Sequence, residues 1–485
     1  MTPLMRQYNE IKKEHPGCVL FFRMGDFFEL FDTDAELAAG ILGITLTSRN
    51  NGDAASTPLC GFPHHAAERY IPKMVAAGHR VAICEQIEDP KLSKGIVKRA
   101  VVEIISAGTA MNEGNLVEKE SNYLSVMLPL SDDQVAFAFS DVTTGFFAVS
   151  VSGIQAFESE FSKRMPKEVL IQAESKIPKP IQDLIQAESI LVTPLESSLF
   201  EETEARRLLF EHFDVENLES LGLEGKIAET QVAGAMLAYL VDQKKSELSH
   251  ITHLEFLDLG DYMTLDSATQ RHLELVRPLN ADDASSTLCS VLDHTVTAMG
   301  GRLLKEWLTH PLVKVERIEA RSSAVAELVK NPIVLDELKK DLQAILDMER
   351  LMGRVGTGRA NARDLAGLGH SLERSISVSA TLASLESQTF KRLYQVLELA
   401  QGRGKEILNY LNDELPLTVR EGGMIRPGAS AELDEMNAEI KDKRQWISSL
   451  ETREKERLGI TTLKVGYNKV FGYYIEVGHS MSDKV

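Results

Sequence analysis

Cysteine is scarce. Cys18, Cys60, Cys84 and Cys289 lie scattered over 485 residues without a close pair. That spacing offers no zinc-ribbon pattern and reads as a reducing compartment. Long apolar runs are missing too: no stretch reaches the ~18 consecutive apolar residues of a membrane span. The opening MTPLMRQYNEIKKEH has no apolar signal core. Together these absences predict a cytoplasmic, soluble protein. The pattern GxxxxGK[ST] occurs nowhere, and GRGK at 402–405 lacks both the upstream glycine and the hydroxyl residue. Nucleotide triphosphate binding in the P-loop manner is therefore not expected. A GxSxG elbow is also absent, so no Ser-His-Asp set can be nominated.

What is present suits a multidomain globular protein. Hydrophobic residues make up 43 %, enough for real cores, and the length suggests roughly three or four domains. The formal net charge of −19 argues, taken alone, against nucleic acid as a partner. Its distribution weakens that argument. Residues 1–110 carry 12 Lys and Arg against 13 Asp and Glu, and residues 441–485 carry nine basic against six acidic groups. A phosphate backbone responds to charge within a Debye length of about 10 Å at 0.1 M salt. The two ends thus remain compatible with DNA.

Along the chain the character changes three times. Residues 1 to about 115 alternate strands and helices, a small α/β unit. CVLFF reads as a buried strand. DTDAELAAGILG reads as a helix with Asp32 or Asp34 as N-cap and Gly43 as its stop. PLCGFPHHAAERYIPKMVAAGHRVAICEQI reads as loop, helix, turn at Gly78 and strand, the helix burying Ala66, Tyr70, Met74 and Ala77. Residues 121 to about 250 form a second unit, with strands in NYLSVMLPL, QVAFAFSDVTTGFFAVS and KEVLIQA and a helix in VAGAMLAYLVDQKKS. IQAES occurs at 171–175 and 185–189, a coincidence rather than a repeat. From 262 onward the apolar spacing is that of helices, punctuated by Pro278, Pro311 and Pro332. Residues 431–459 form one long, strongly charged helix. TTLKVGYNKVFGYYIEV then alternates Leu463, Val465, Tyr467 and Phe471, Tyr473, Ile475 about a short turn, a hairpin. A lone hairpin is marginal in water, so partner strands are expected beyond it.

FFRMGDFFELF, residues 21–31, is the most informative stretch. Gly25 and Asp26 interrupt a run of phenylalanines. If DFFEL is extended, Phe27 and Glu29 share one face and Phe28 and Leu30 the other. One face is then buried, and the other offers an aromatic ring beside a carboxylate. A flat ring can stack on or wedge between bases, and a carboxylate can accept a hydrogen bond from a base edge. Phe27 as core and Glu29 as a solvated charge fit the same pattern. Cys60, His64 and His65 could bind zinc but have no second pair, so loop and packing roles are expected. Asp141 in FSDVTTG reads as a turn or cap residue.

The stretches FFRMGDFFELF, ITLTSR, PLCGFPHHAAERYIPKMVAAGHRVAICEQIEDP and KGIVKRAVVEIISAGT resemble the first domain of bacterial MutS, the DNA mismatch recognition family. NYLSV, DVTTGFF, LDSATQRHLELV, SVLDHTVTAMGGRLLKEWLTHPL, MERLMGRVGTGRANARDLAGL, EGGMIRPGASAELDEM and LKVGYNKVFGYYIEV continue the resemblance in family order. It is least clear between about 150 and 230.

The resemblance implies a multidomain α/β and all-α chain. It has a small mixed α/β mismatch-recognition domain at 1–115 and an RNase H-like α/β connector domain at 121–250. A long-helix core and lever domain covers 251–459, and a β clamp begins at 460–485. It implies that Phe27 enters the minor groove and stacks on a mispaired or unpaired base, and that Glu29 hydrogen-bonds that base. Lys464, Asn468 and Lys469 become candidates for backbone contact. The implied partners are duplex DNA with mismatches or small loops and a MutL-like protein. The family's ATPase domain, with its ATP, Mg2+ and main dimer contact, follows the clamp. This chain therefore reads as the N-terminal portion, truncated in the clamp, with no ATP turnover of its own and weak or absent dimerisation. Two other readings remain: a MutS-like interaction protein acting on DNA junctions without reading mismatches, or a non-functional fragment. The first domain and its Phe-x-Glu favour mismatch binding. A metal nuclease on the second domain would need a carboxylate cluster that the sequence does not display.

Overall fold

The computed structural model describes residues 2–49, 56–88, 95–111, 113–280, 284–468, 472–479 and 481. It divides into two compact units, residues 1–404 and 405–485.

The first unit opens with α1 (Pro3–Glu14), β1 (Cys18–Met24), β2 (Phe27–Phe31), α2 (Asp32–Leu42), β3 (Thr47–Arg49), β4 (Thr57–Pro63), α3 (Ala67–Ala76), β5 (Arg80–Gln86) and β6 (Arg99–Ile105). The strands form one sheet in the order β3-β4-β2-β1-β5-β6, with β1 and β5 parallel and the other pairs antiparallel. The sheet is covered on both faces. Phe21, Phe28, Leu30 and Phe62 pack beneath α2 and α3. Phe22, Phe31, Leu20 and Cys84 pack beneath Met5, Tyr8 and Ile11 of α1.

Three sequence expectations are corrected here. TPLCGFP is a strand, not a loop. Its prolines sit at or near its ends, and Cys60 and Phe62 supply buried alternate positions. Neither Asp32 nor Asp34 caps α2, whose N-cap is Phe31. Asp34 is buried and accepts from Lys12 Nζ at 2.7 Å and from the Leu20 N–H at 3.0 Å, so its charge is spent on tertiary contacts. In α3 the buried residues are Ile71, Met74 and Val75; Ala77 is exposed, and Ala66 and Tyr70 are half-buried.

The second sheet runs β11-β10-β7-β8-β9-β12. It comprises β7 (Leu124–Pro129), β8 (Gln134–Asp141), β9 (Phe146–Gly153), β10 (Glu168–Gln172), β11 (Leu191–Leu195) and the short β12 (Glu255–Phe256). On one face lies α7 (Ile227–Lys244), whose buried residues point all round the helix, joined by α6 (Glu202–Phe213). On the other lie Phe157 and Phe161 of α4 (Ile154–Arg164) with Ile181 and Ile185 of α5 (Lys179–Ala187). The two IQAES copies differ in structure. Ile171 and Gln172 end β10, whereas Ile185, Gln186 and Ala187 end α5. Tertiary context, not the pentapeptide, sets the conformation.

Helices then take over: α8 (Ser267–His272), α9 (Leu288–Leu292), α10 (Ala298–Thr309), α11 (Val315–Lys330), α12 (Pro332–Gln343), α13 (Met348–Gly356), α14 (Ala362–Leu382), α15 (Gln388–Leu399) and α16 (Arg403–Tyr410). Ala324, Leu338, Val378, Leu382 and Phe390 form a core among α11, α12, α14 and α15. α13 starts afresh after α12 with Asp347 as its N-cap, accepting from the Arg350 N–H.

Buried charges tie these parts of the first unit together. Glu168, fully buried, accepts from Thr193 at 2.6 Å, from Tyr239 at 2.7 Å and from Ser106. Glu103 on β6 meets Lys244 of α7 at 3.0 Å and also pairs with Arg359, which follows α13. Burial pushes the Lys244 ammonium down to about 7, with Glu103 and the Thr109 carbonyl beside it. Between the two sheets, residues 117–120 are clasped by Arg302 and Arg350. Arg302 donates to the Glu118 carbonyl at 2.9 Å while bridging Asp347 and Glu349. Arg350 donates to the Val117 carbonyl at 3.1 Å.

In the second unit α17 (Ala431–Leu458) is 28 residues long, capped by Ser430 and stopped by Gly459, and none of its residues is buried. β13 (Lys464–Asn468) and β14 (Gly472–Glu476) form the expected hairpin, pairing Val465 with Ile475 and Tyr467 with Tyr473. Leu463 is buried, and Glu451 of α17 accepts from the Val465 N–H at 3.0 Å.

Candidate nucleic-acid interface

Gly25 and Asp26 form the two-residue loop of the β1–β2 hairpin, which pairs Met24 with Phe27 and Phe22 with Glu29. Gly25 has φ 57°, a positive φ that glycine adopts without steric cost at the first position of a two-residue hairpin loop. The turn fixes register, and register decides which side chains are buried. Phe28 is 3 % exposed and Leu30 is fully buried, both against the α2–α3 side. Phe27 is 46 % exposed and Glu29 half-buried, on the side that α1 covers only farther along the strand, at Phe31.

A ring next to a hydrophobic core ordinarily joins it, since fully burying a phenylalanine is worth about 1.5 to 3 kcal/mol. Phe27 belongs to neither core of its sheet. Its flanking strand partners, Met24 and Pro63, hold the backbone and leave the ring outward. Across from Glu29 stands Gly61 on β4. A Cβ there would lie 2.9 Å from the Phe28 carbonyl oxygen and 3.5 Å from Glu29 Cγ. Glycine therefore permits the close strand approach beside the carboxylate. The result is an aromatic ring and an acid on an uncovered part of one face of the sheet, on an interior strand paired from both sides.

Residues outside this patch resolve differently. Cys60 is buried in β4 and donates to the Ala35 carbonyl at 3.4 Å; burial pushes its thiol up to about 11. His64 meets the Asp26 carbonyl at 3.1 Å, securing the hairpin loop to the start of α3. Among the described residues, no group of three His, Cys, Asp or Glu side chains could hold a metal ion. Asp141 is a turn residue, accepting from the Thr143 N–H and the Asn122 N–H at 2.9 Å each. Of the hairpin candidates, Lys464 is exposed opposite Glu476, and Asn468 is half-buried opposite Gly472. Lys469 lies outside the described residues. Sequence reasoning passed over Gly61, which stands opposite Glu29 on β4; only the strand pairing brings it there.

No helix among the described residues is long and apolar enough to cross a membrane. Comparison with known proteins places the whole chain. Three family models match in succession: MutS domain I over residues 2–114, MutS domain II over 122–252 and MutS domain III over 268–462. The chain is 39 % identical to the DNA mismatch repair protein MutS of Halothermothrix orenii over 493 residues, covering 100 % of this chain and 54 % of that protein. The protein of the same name from Salinibacter ruber is 40 % identical over 488 residues, with the same coverage. That from Symbiobacterium thermophilum is 40 % identical over 485 residues, covering 98 % of this chain and 55 % of the relative. The chain thus spans about half the length of the curated relatives it matches. With three family domains in order and a continuous likeness of this extent, the chain belongs to the MutS family.

Proposed function

We propose that this chain binds duplex DNA at a mispaired or unpaired base, with Phe27 inserted from the minor groove and Glu29 accepting a hydrogen bond from that base. The observation that carries the reading is the exposure of Phe27 next to buried Phe28, on the family's first domain. A matched duplex resists a wedge, because opening a stack costs a few kcal/mol per step. A mismatch has already lost part of that energy, so insertion and bending there are cheaper. Discrimination arises from deformability rather than from a base-edge code. Glu29 adds a hydrogen bond at the cost of repelling phosphates. Lys464, Asn468 and Lys469 would contribute to the sequence-independent grip on the backbone.

The relatives are named for DNA mismatch repair, and the reading extends to that pathway, in the cytoplasm, with a MutL-like protein as partner and homodimerisation of the full-length family. Residues 1–115 would act as the recognition domain, 121–250 as the connector, 251–459 as core and lever, and 460–485 as the start of the clamp. The one phosphate-loop-like string, GRGK, places Gly404 where a Cβ would lie 2.6 Å from the Gly369 carbonyl oxygen of α14. That glycine serves helix packing, and nucleotide chemistry is assigned to none of these residues.

The test is binding to a duplex with one mismatch and to its matched control at fixed salt. A saturable preference for the mismatch, lost in Phe27→Ala, supports the reading. Equal affinity for the two duplexes overturns it.

A further inference from the structure

Phe27 is 46 % exposed and joins neither core of its sheet, so core packing does not orient its ring. Its direction rests on the backbone that carries it, and that backbone leaves the β1–β2 loop at Asp26. Loop tips are ordinarily the most mobile part of a hairpin. Here both loop carbonyls are held by side chains from outside the loop. The Gly25 carbonyl accepts from Arg23 Nε at 2.5 Å. Arg23 is buried, lies over the Phe28 ring and meets Glu85 of β5 at 3.2 Å, so this donor is itself fixed. The Asp26 carbonyl is taken twice by one residue. The His64 N–H donates to it at 2.8 Å, and His64 Nδ1 lies 3.1 Å from the same oxygen. A carbonyl oxygen has two lone pairs and can only accept, so Nδ1 carries the proton. His64 follows Pro63, the cross-strand partner of Phe27, and opens the short turn that leads into α3. The chain leaving β4 thus reaches across to the residue that precedes the ring.

We propose that His64 is the positioning residue of Phe27: its ring N–H locks the Asp26 carbonyl, and with it the direction in which the aromatic ring leaves the sheet. This rests on the reading of Phe27 as a wedge given above. A wedge driven into a base stack meets the resistance of that stack. A loop free to yield would let the ring fold back, and holding it straight would cost conformational freedom on binding. A loop already locked in the free protein avoids that cost. The main-chain bond alone would fill one lone pair of the carbonyl. The imidazole fills the second, and its Nε2 takes no part in the lock.

The experiment uses the 485-residue chain in two measurements. Wild type, His64→Leu and His64→Asn are titrated with a fluorescent duplex containing one mismatch and with its matched control, at fixed salt. His64→Leu removes the ring donor and is expected to lower the mismatch-to-match ratio about two- to tenfold, the worth of one hydrogen bond, with the matched duplex bound as before. Asparagine can place an N–H where histidine has Nδ1 and has nothing in place of Nε2, so His64→Asn is expected to restore most of the ratio. Amide exchange, read without DNA, is expected to quicken by a similar factor at Asp26 and Phe27 in His64→Leu and to stay unchanged at Leu30 and Phe31. An unchanged ratio in His64→Leu overturns the proposal. So does a ratio that His64→Asn fails to restore, since Nε2 would then be the working atom, in direct contact with DNA. Equal acceleration of exchange at Leu30 overturns it as well, because the loss would be one of folding. A wild-type chain that binds the two duplexes alike, or neither, instead overturns the reading of Phe27 on which the proposal stands, and the exchange measurement then separates a missing lock from a missing wedge.

Discussion

Truncating Phe27 and Phe28 separately tests the central assignment, because the two rings are adjacent in sequence and opposite in surroundings. Phe28 packs against Phe21 and Phe62, with centroid distances of 6.1 and 6.0 Å, and is 3 % exposed. Phe28→Ala leaves a cavity and is expected to cost about 3 to 5 kcal/mol. Phe27 is 46 % exposed, so only about half of a phenylalanine's burial, roughly 1 kcal/mol, is at stake, and no closed cavity forms. A multidomain chain has no single well-defined unfolding free energy. Amide hydrogen exchange in β1, β2 and β4 reads the local opening instead. With a decade of exchange for each ~1.4 kcal/mol, Phe28→Ala should speed exchange about a hundredfold or more, and Phe27→Ala by about a decade or less. On DNA the order reverses. Base–aromatic stacking is worth ~1 to 3 kcal/mol, so Phe27→Ala should cut the mismatch-to-match ratio by about fivefold or more, or abolish it. Equal acceleration of exchange by the two variants would make Phe27 a core residue and refute the assignment, as would an unchanged ratio.

Three further outcomes are expected. Glu160 of α4 is buried against Arg164 at 2.6 Å and His310 at 3.0 Å. Burial alone would raise its carboxyl, but Arg164 and His310 outweigh it and hold the value well below the ordinary range. A depressed folded-state value means that its stabilisation is complete above the unfolded glutamate value of ~4.3 and is lost as pH falls below it. Glu160→Gln should therefore cost about 3 kcal/mol at pH 7 by stranding Arg164, and should flatten the loss of α4 exchange protection between pH 6 and pH 3; an unchanged acid sensitivity would contradict this. Arg302→Met should release residues 117–120 and speed tryptic cleavage after Lys119 roughly tenfold or more, whereas an unchanged cleavage rate would show the clasp to be dispensable. Purified chain should release no phosphate from ATP above background, with or without DNA, and activity that co-purifies with it and saturates in ATP would refute this.

Local pattern carried β1, β5 and β6 of the first sheet, β7 to β10 of the second, the opposite facing of Phe27 and Phe28, and the long charged helix, because each depends on period. It failed where the deciding partner is distant. TPLCGFP has the composition of a loop, and only pairing with β2 and β3 makes it a strand. Asp34 has the right type and place for an N-cap, but Lys12 and the Leu20 N–H, from two other elements, claim it. In the helix at 67–76 Met74 is buried as expected, but Ile71 and Val75, which were passed over, join it in the core and Ala77 does not. At the candidate interface, Phe27 and Glu29 follow from alternation. Gly61, some thirty residues on, meets Glu29 only through the pairing of β2 with β4, which no single stretch encodes.

The sharing of Glu103 bears on how such proteins can be recombined. One carboxylate on β6 answers two cations, Lys244 from the second sheet's main helix and Arg359 from the helical region. The peptide at 117–120 is likewise gripped by arginines from helices far along the chain. A chimera that took its first 115 residues from one relative and the remainder from another would cut through neither sheet, yet it would inherit positions 103, 244 and 359 from different parents. If the donor carried a neutral residue at 103, buried Lys244 and half-buried Arg359 would both lose the carboxylate they share, and the graft would fail at a place remote from the splice. Successful grafts should therefore be those that keep 103, 244 and 359 together as a set, even though these positions lie in three different structural modules.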